Sequence, residues 1–142
     1  MYALLKLCEN IQKLESGRVF FLTFSDPQLK TLVLKLNKDQ LRVGLLADGR
    51  ELPMYSPTSI DKFGKKPGRY TLYDTGDFYD SFKIQTVTED FILEFADTEK
   101  PDKDLLEYGA VLGLDEQSKD ILFKEALPDI REIVLKEMLK GI

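Results

Sequence analysis

The feature that most constrains the fold of this chain is the change in spacing of its apolar residues along the sequence. Residues 2–14 carry apolar side chains at every third or fourth position, and the same helical spacing returns after Asp115. Between these ends, residues 82–87 and 91–95 are short runs rich in β-branched and aromatic side chains. Helical and strand patterns in separate parts of a chain predict an α+β fold. We expect N-terminal helices, a small antiparallel sheet and C-terminal helices in one domain, residues 1–142.

The N-terminal part of the sequence predicts two or three helices. Residues 2–14 form the first, which ends at a Ser-Gly pair. Residues 19–24 are an apolar run of strand length, although the pattern alone also allows a buried helical stretch. Asp26 and Pro27 have the residue types of an N-cap and a first helical residue, so a second helix is expected there. Asn37 is interpreted as the cap of a further turn.

The middle of the chain predicts a loop followed by strands. Residues 51–69 contain repeated proline and glycine, which indicates an exposed, mobile loop or short elements. Residues 70–73 are expected to be a strand beside those at 82–87 and 91–95, and residues 88–90 are expected to form a hairpin turn.

The C-terminal part of the sequence predicts helices. Residues 101–108 are a short helical candidate, and Asp115 is a candidate N-cap for a longer helix. Pro128 is expected either to kink that helix or to open a new one.

Composition excludes several classes of site. Of the 142 residues, 43% are apolar and 32% are charged, as in ordinary globular proteins. The chain has no histidine and one cysteine, Cys8, so intrachain disulfides, the usual zinc sites and histidine-based triads are excluded. No apolar run approaches the length of a membrane-spanning helix or a secretory signal, so we expect a soluble, intracellular product. We also expect no cofactor and no metal.

Charge is distributed unevenly along the chain. Residues 1–88 hold 13 basic and 10 acidic side chains, whereas residues 89–142 hold 7 basic and 15 acidic ones. An acidic surface of this kind is usually a solvated face, and it can also steer a basic partner. One hypothesis is therefore a cytosolic adaptor that binds a partner through its acidic C-terminal surface.

The triplet Asp74-Thr75-Gly76 matches the one that supplies a catalytic carboxylate in retroviral-type aspartic proteases. A later apolar-apolar-Gly segment, residues 111–113, imitates the supporting strand of such enzymes. A homodimeric protease using Asp74 is therefore an alternative hypothesis. Against it, those enzymes are all-β dimers, whereas both flanks of this triplet have helical patterns and the residues after Gly76 are charged and aromatic.

Asp74, Asp77 and Asp80 follow one another at three-residue spacing, and carboxylates are the ligands that Ca²⁺ and Mg²⁺ prefer. The regular further ligands and the bidentate glutamate of a calcium loop are missing. We interpret Asp74 as an Asx-type turn residue and Asp77 as a helix cap, and we predict no metal site.

A basic cluster lies just before this segment and consists of Lys62, Lys65, Lys66 and Arg69. Aromatic neighbours suit a single-strand nucleic-acid groove, but the protein carries a net charge of −5, and four cations are few. We expect no nucleic-acid binding and interpret the cluster as a solvated loop or a protein contact.

The order of these features resembles the central block of small tailed-phage virion-morphogenesis, tail-completion or neck proteins, closest to those of phages and prophages of gut Bacteroidetes. The resemblance covers residues 37–140. Members join a Thr-Gly-x-(aromatic or Leu)-x-x-Ser block to a downstream Leu-Gly-Leu and a C-terminal helix. The matching residues are Gly44, Asp48-Gly49-Arg50-Glu51-Leu52, Tyr55-Ser56-Pro57, Ile60, Lys62, Lys65-Lys66, Gly68, Thr71-Leu72, Asp74-Thr75-Gly76-Asp77-Phe78-Tyr79-Asp80-Ser81-Phe82 and Leu112-Gly113-Leu114.

The resemblance implies a structural, non-enzymatic subunit of an oligomeric ring that joins head and tail or completes the tail. It implies helices packed on a small antiparallel sheet, portal, connector or tail-tube partners, no membrane partner, and a location in the virion after assembly in the host cytoplasm. The shared positions are implied to be turn and packing determinants, with Phe78 and Phe82 as apolar anchors. Many relatives have an arginine ahead of Leu-Gly-Leu where this chain has residues 108–111, and residues 16–30 match nothing in the family.

A contact between subunits is the further expectation for the basic cluster. Its four cations, Lys62, Lys65, Lys66 and Arg69, would meet the acidic residues of a neighbouring copy or of an adjacent virion protein, and the loop that carries them would become ordered on assembly.

Overall fold

The computed structural model describes residues 1–88, 91–100 and 103–142, and it shows a helix-rich chain that also contains strands. Within these ranges the α-helices are α1 (Tyr2–Gln12), α2 (Ser16–Thr23), α3 (Pro27–Arg42), α4 (Pro57–Phe63), α5 (Asp77–Asp80) and α6 (Glu116–Met138). The strands are β1 (Lys83–Thr88), β2 (Phe91–Phe95), β3 (Glu99–Lys100) and β4 (Lys103–Asp104), and a 3₁₀ helix covers Leu105–Tyr108.

The strands form two separate two-stranded ribbons in the described part of the chain. β1 pairs antiparallel with β2, with Lys83 opposite Phe95, and β3 pairs antiparallel with β4. The predicted turn at 88–90 includes Glu89 and Asp90, which lie outside the described residues.

The prediction of a strand at 70–73 is wrong, because these residues belong to no strand. Leu72 has a φ of 55°, in the left-handed region that an extended strand does not use. The backbone N–H of Tyr70 donates to the carbonyl of Pro53, so this segment is tied to the preceding loop instead of to β1.

The apolar run at 19–24, which the sequence left open between a strand and a buried helical stretch, is helical as far as Thr23. Most of it lies in α2, which contacts α6, and the Arg18 guanidinium lies 3.3 Å from the Glu137 carboxylate of that helix. The hydroxyl of Thr23 donates to the carbonyl of Val19 one turn earlier, as threonine does in a helix. The apolar pattern alone allows a strand or a helix, and packing against α6 stabilises the helix.

The start of α3 is confirmed, but its continuation differs from the prediction. Asp26 is the N-cap, its carboxylate accepts from the Gln28 N–H at 2.9 Å, and Pro27 is the first helical residue. Asn37 caps nothing, because it lies within the helix, which continues to Arg42. Its side chain is fully buried and bonds to a distant segment, a role that local sequence does not reveal.

The long C-terminal helix begins as predicted. Asp115 caps α6 by accepting from the Ser118 N–H at 2.9 Å. Pro128 is accommodated inside the helix, so no new helix opens there. Of the short helix predicted at 101–108, the 3₁₀ helix occupies the second half and ends at Gly109, while Pro101 and Asp102 lie outside the described residues.

Two clusters of buried side chains form the interior. The first joins the end of α3, the loop that follows it, α5, the 3₁₀ helix and the segment after that helix, through Leu41, Leu46, Leu52, Phe78, Tyr79, Phe82, Leu105 and Val111. The second joins α2, α3 and α6 through Phe24, Leu29, Val33, Leu36, Leu114 and Ala126.

Candidate functional site

The Asp-Thr-Gly segment is a turn that leads into α5. Gly76 has a φ of 96° and is the N-cap residue of the helix. A side chain there would also meet the Tyr73 hydroxyl at 3.2 Å, so glycine suits both the backbone and the space. The interpretation of Asp77 as the cap is wrong: Asp77 is the first helical residue, and its N–H donates weakly to the Thr75 hydroxyl at 3.4 Å.

The residues after the turn anchor it in the interior, as the sequence predicted for Phe78 and Phe82. Both rings are buried and lie 5.0 Å apart between centroids. Ser81 joins the turn to the segment after β2, because its hydroxyl donates to the Phe78 carbonyl at 2.6 Å and accepts from the Asp97 N–H at 2.8 Å. The segment is therefore held by both packing and hydrogen bonds.

Asp74 lies at the surface of this turn. Its side chain is 90% exposed, and its carboxylate is 3.4 Å from the Lys65 ammonium. The predicted Asx-type turn would have this carboxylate accept from the Gly76 N–H, whereas the partner that the structure gives it is Lys65. The two carboxylates of an aspartic-protease dyad share a proton because they lie side by side, whereas the neighbour of the Asp74 carboxylate is a lysine.

An open cavity of about 700 Å³ lies beside this turn. Aromatic rings from four separate segments form much of its wall, namely Tyr55, Phe63, Tyr70, Tyr73, Phe78 and Tyr108. Three of them are in direct contact: the Tyr55 and Tyr70 rings are 4.5 Å apart, and the Tyr70 and Tyr108 rings meet edge to face at 5.8 Å. Phe63 and Tyr73 expose 72% and 50% of their surface at its rim.

Polar groups converge on the same cavity. The Lys65 ammonium donates to the Tyr73 carbonyl at 3.2 Å and lies 6.0 Å from the centre of the Tyr55 ring. Asp74 and Asp77 line the cavity on the side of the turn. Leu72, with its left-handed backbone, also lines it. A non-glycine residue in this region is strained, and such strain is common at binding sites.

Tyr79 lies behind the cavity and fixes its wall. Its ring packs edge to face on Tyr73 at 5.3 Å, and its hydroxyl donates to the Thr71 carbonyl. Burial raises the pKa of Tyr79 to about 12, against the partial opposition of the Arg42 charge. The phenol is therefore neutral and a hydrogen-bond donor throughout the physiological range.

Two of the four cations of the basic cluster, Lys65 and Arg69, bind nearby groups of the chain, and the other two are exposed. Lys65 binds the cavity wall as described above. Arg69 pairs with the Glu51 carboxylate and donates to the Leu52 carbonyl at 2.9 Å. Lys62 and Lys66 are exposed. Contact of this cluster with another subunit stays a prediction, as does the mobility of the loop, which contains α4 and a bridge between Met54 and Arg69.

The Leu-Gly-Leu segment is held against α3 by two amide side chains. Asn37 donates to the Val111 carbonyl and accepts from the Gly113 N–H, both at 3.1 Å. Gln40 donates to the Gly113 carbonyl at 2.8 Å and accepts from the Asp115 N–H at 2.9 Å. The cap of α6 is thereby tied to α3.

The sequence analysis missed this amide pair. The signal was present, because Asn37 and Gln40 each follow an apolar residue of the α3 face, Val33 and Leu36, by one helical turn. Polar residues in the register of an apolar face indicate a buried hydrogen-bonding role. The aromatic cavity had no comparable signal, since its walls come from residues up to 53 positions apart.

The described residues form neither a metal-binding group nor a membrane-spanning helix. No group of three or more acidic or cysteine side chains is arranged to hold a metal ion in that part of the chain. Nor does any helix there have the length and apolar character needed to cross a membrane.

Comparison with models of protein families, with curated proteins and with solved structures finds no match to this chain.

Proposed function

We propose that this chain is a structural virion protein of a tailed phage or prophage, a subunit of a ring that joins head to tail or completes the tail. Its partners are other copies of itself and the adjacent portal, connector or tail-tube proteins. It is not an enzyme and acts by occupying its place in the assembled particle, which it enters in the host cytoplasm.

The observation that carries the proposal is the apolar surface of the two terminal helices. α1 packs on α6 and has no buried residue. Large apolar side chains are exposed along both helices, namely Tyr2, Leu4, Leu5 and Ile11 on α1 and Ile121, Phe123 and Leu135 on α6, with Met1, Leu139 and Ile142 beside them. Exposed large apolar side chains on α1 and at both ends of α6 offer surface for association with another protein.

The surroundings of the shared motif also support a structural role. Gly76 has the left-handed backbone of a tight turn, and Phe78 and Phe82 are buried anchors. Those are the roles that the resemblance implies. Asp74 is exposed and paired with Lys65, which favours a structural interpretation over a protease.

The finer architecture belongs to the same proposal. The ribbon of β1 and β2 contacts α3 and α2, respectively. We take this ribbon as the small antiparallel sheet on which the helices of the family would pack.

The first experiment measures assembly of the purified protein by light scattering and electron microscopy over a range of concentrations. We expect rings or smaller oligomers, and we expect Leu5→Asp to reduce them, because it places a charge in the apolar surface of α1. Met54→Asp is the matched control, since Met54 is 58% exposed and Leu5 59%, but Met54 lies in the loop before α4.

The second experiment tests the biological role. Deletion of the gene from the phage that encodes it should leave filled heads and separate tails in electron micrographs, and the wild-type gene supplied in trans should restore joined particles. Joined, infectious particles without this protein would contradict the proposal.

A further inference from the structure

The aromatic cavity beside the Asp-Thr-Gly turn has the composition of a site for an organic cation. Cations are attracted to the faces of aromatic rings, and cages of such rings with a nearby carboxylate bind ammonium groups. Here the aromatic wall includes Tyr55, Tyr70 and Tyr73, and the carboxylates of Asp74 and Asp77 stand on one side.

The chain already places one ammonium group in this environment. The Lys65 ammonium contacts the Tyr73 carbonyl at 3.2 Å, the Asp74 carboxylate at 3.4 Å and the Tyr55 ring at 6.0 Å. Its side chain is only 28% exposed, although lysine is usually solvated. The walls therefore already contact one alkylammonium group, and Lys65 serves as an internal example of the ligand.

The charges of the cavity favour a cation over an anion. An anion would have to approach Asp74 and Asp77, and the nearest positive charge, on Lys65, is already neutralised by Asp74. A cation that takes the place of the Lys65 ammonium would meet the Asp74 carboxylate, and Asp77 also lines the cavity. The volume of about 700 Å³ is in the range of small-ligand sites, so there is room for a ligand besides the lysine.

We propose that this cavity binds an alkylammonium or quaternary ammonium group and that Lys65 occupies it until the ligand displaces it. The ligand is either a free amine or the lysine side chain of another protein, because both present the same chemistry. The proposal does not depend on the phage role.

Tyrosine fluorescence offers a direct measurement. The chain has six tyrosines and no tryptophan. Four tyrosines line the cavity, Tyr79 contacts one of them, and Tyr2 lies on α1. In a Tyr2→Phe background every remaining tyrosine therefore reports on the site. The probe is choline, and its control is 3,3-dimethylbutan-1-ol, which has the same shape without the charge.

Lys65→Met should bind choline about ten-fold more tightly than the unsubstituted background does, because the internal competitor is removed. Lys62→Met is the matched control: Lys62 is an exposed lysine of the same loop that does not line the cavity, so its loss should leave the affinity unchanged. In the Lys65→Met background, Asp74→Asn should weaken binding, whereas Asp80→Asn, on the same segment but outside the cavity, should not. Circular dichroism and melting temperature identify any variant that fails to fold.

Equal affinity for choline and its neutral isostere would overturn the proposal, because the cavity would then be merely apolar. So would the absence of binding by a folded Lys65→Met protein at millimolar choline. A peptide with one central lysine distinguishes the two sources. If the peptide binds more tightly than n-butylammonium, the ligand is the lysine side chain of another protein. If n-butylammonium binds more tightly, the ligand is a free amine.

Discussion

The interior around α3 and the two terminal helices, α1 and α6, differ in how far their side chains are buried and hydrogen-bonded within the chain. α3 buries six residues, including two amide side chains whose hydrogen bonds all end on one neighbouring segment. α1 buries none, and its Asn10 donates to the carbonyl of Met138 at the end of α6 and to that of Lys140 just beyond it, each at 2.8 Å. The first region finds its partners within the chain, whereas the second leaves large apolar side chains exposed.

This difference matters energetically because burial is the main source of stability. Full burial of a large apolar side chain contributes about 1.5–3 kcal/mol, whereas an exposed one contributes little to the free energy of unfolding of the monomer. Matched substitutions in the two regions should therefore differ strongly in an isolated subunit. Phenylalanine, asparagine and tyrosine each occur in both regions, so one residue type can be compared at two places.

The largest difference is expected for phenylalanine. Phe78→Ala should lower the free energy of unfolding by about 3–5 kcal/mol, because the ring fills a packed position at the centre of the first cluster. Phe123→Ala on α6 should change it by less than about 1 kcal/mol, since that ring is exposed. Urea unfolding of both variants measures the difference, and equal losses would contradict the division into two regions.

Asparagine should give the next largest difference. Asn37→Ala should cost about 2–3 kcal/mol, because it leaves the Val111 carbonyl and the Gly113 N–H without this partner in a buried place. Asn10→Ala should cost about 1 kcal/mol or less, since one of its two hydrogen bonds is exposed and the other only partly buried, so water can replace the amide. The same unfolding titration measures both. An Asn37→Ala variant with an unchanged free energy of unfolding would show that the amide pair does not hold the Leu-Gly-Leu segment.

For tyrosine, the difference between the two regions should appear in the pH dependence of the free energy of unfolding. Because burial raises the pKa of Tyr79 to about 12 in the folded state, the folded chain keeps a proton that the unfolded chain releases near pH 10. The resulting stability is complete below pH 10 and is lost as pH rises towards 12, by about 2–3 kcal/mol. Tyr79→Phe should remove this part of the alkaline loss, whereas Tyr2→Phe on α1 should retain it. Identical alkaline profiles for the two variants would contradict the assignment.

The smallest effect is expected at Asp74. Asp74→Asn should change stability by less than about 1 kcal/mol, because an exposed ion pair contributes little. Neither the variant nor the parent should cleave peptides at acidic pH. A pepstatin-sensitive activity in the parent that disappears in Asp74→Asn would support the protease alternative instead.

Sequence reasoning succeeded where structure is decided locally. The caps Asp26 and Asp115 act on amides two or three residues away, so their residue type and position were sufficient. The positive φ of Gly76 and the buried rings of Phe78 and Phe82 were likewise indicated by residue type.

Sequence reasoning was insufficient where contacts between distant segments determine the local structure. Residues 19–24 are helical because α2 packs on α6, more than 90 positions away. Residues 70–73 are no strand, because their loop is tied to Pro53 and Leu72 turns left-handed. The role of Asn37 depends on Val111 and Gly113, which the sequence does not place beside α3.

Amide hydrogen exchange of the dilute and the assembled protein tests the central claim most directly. In dilute solution, we expect slow exchange along α3 and fast exchange along α1, because α3 is buried and α1 is not. At concentrations where light scattering detects the oligomer, protection of α1 and of the exposed face of α6 should rise while that of α3 stays unchanged. Unchanged exchange of α1 and α6 in an assembled protein would contradict the claim that the terminal helices form its assembly surface.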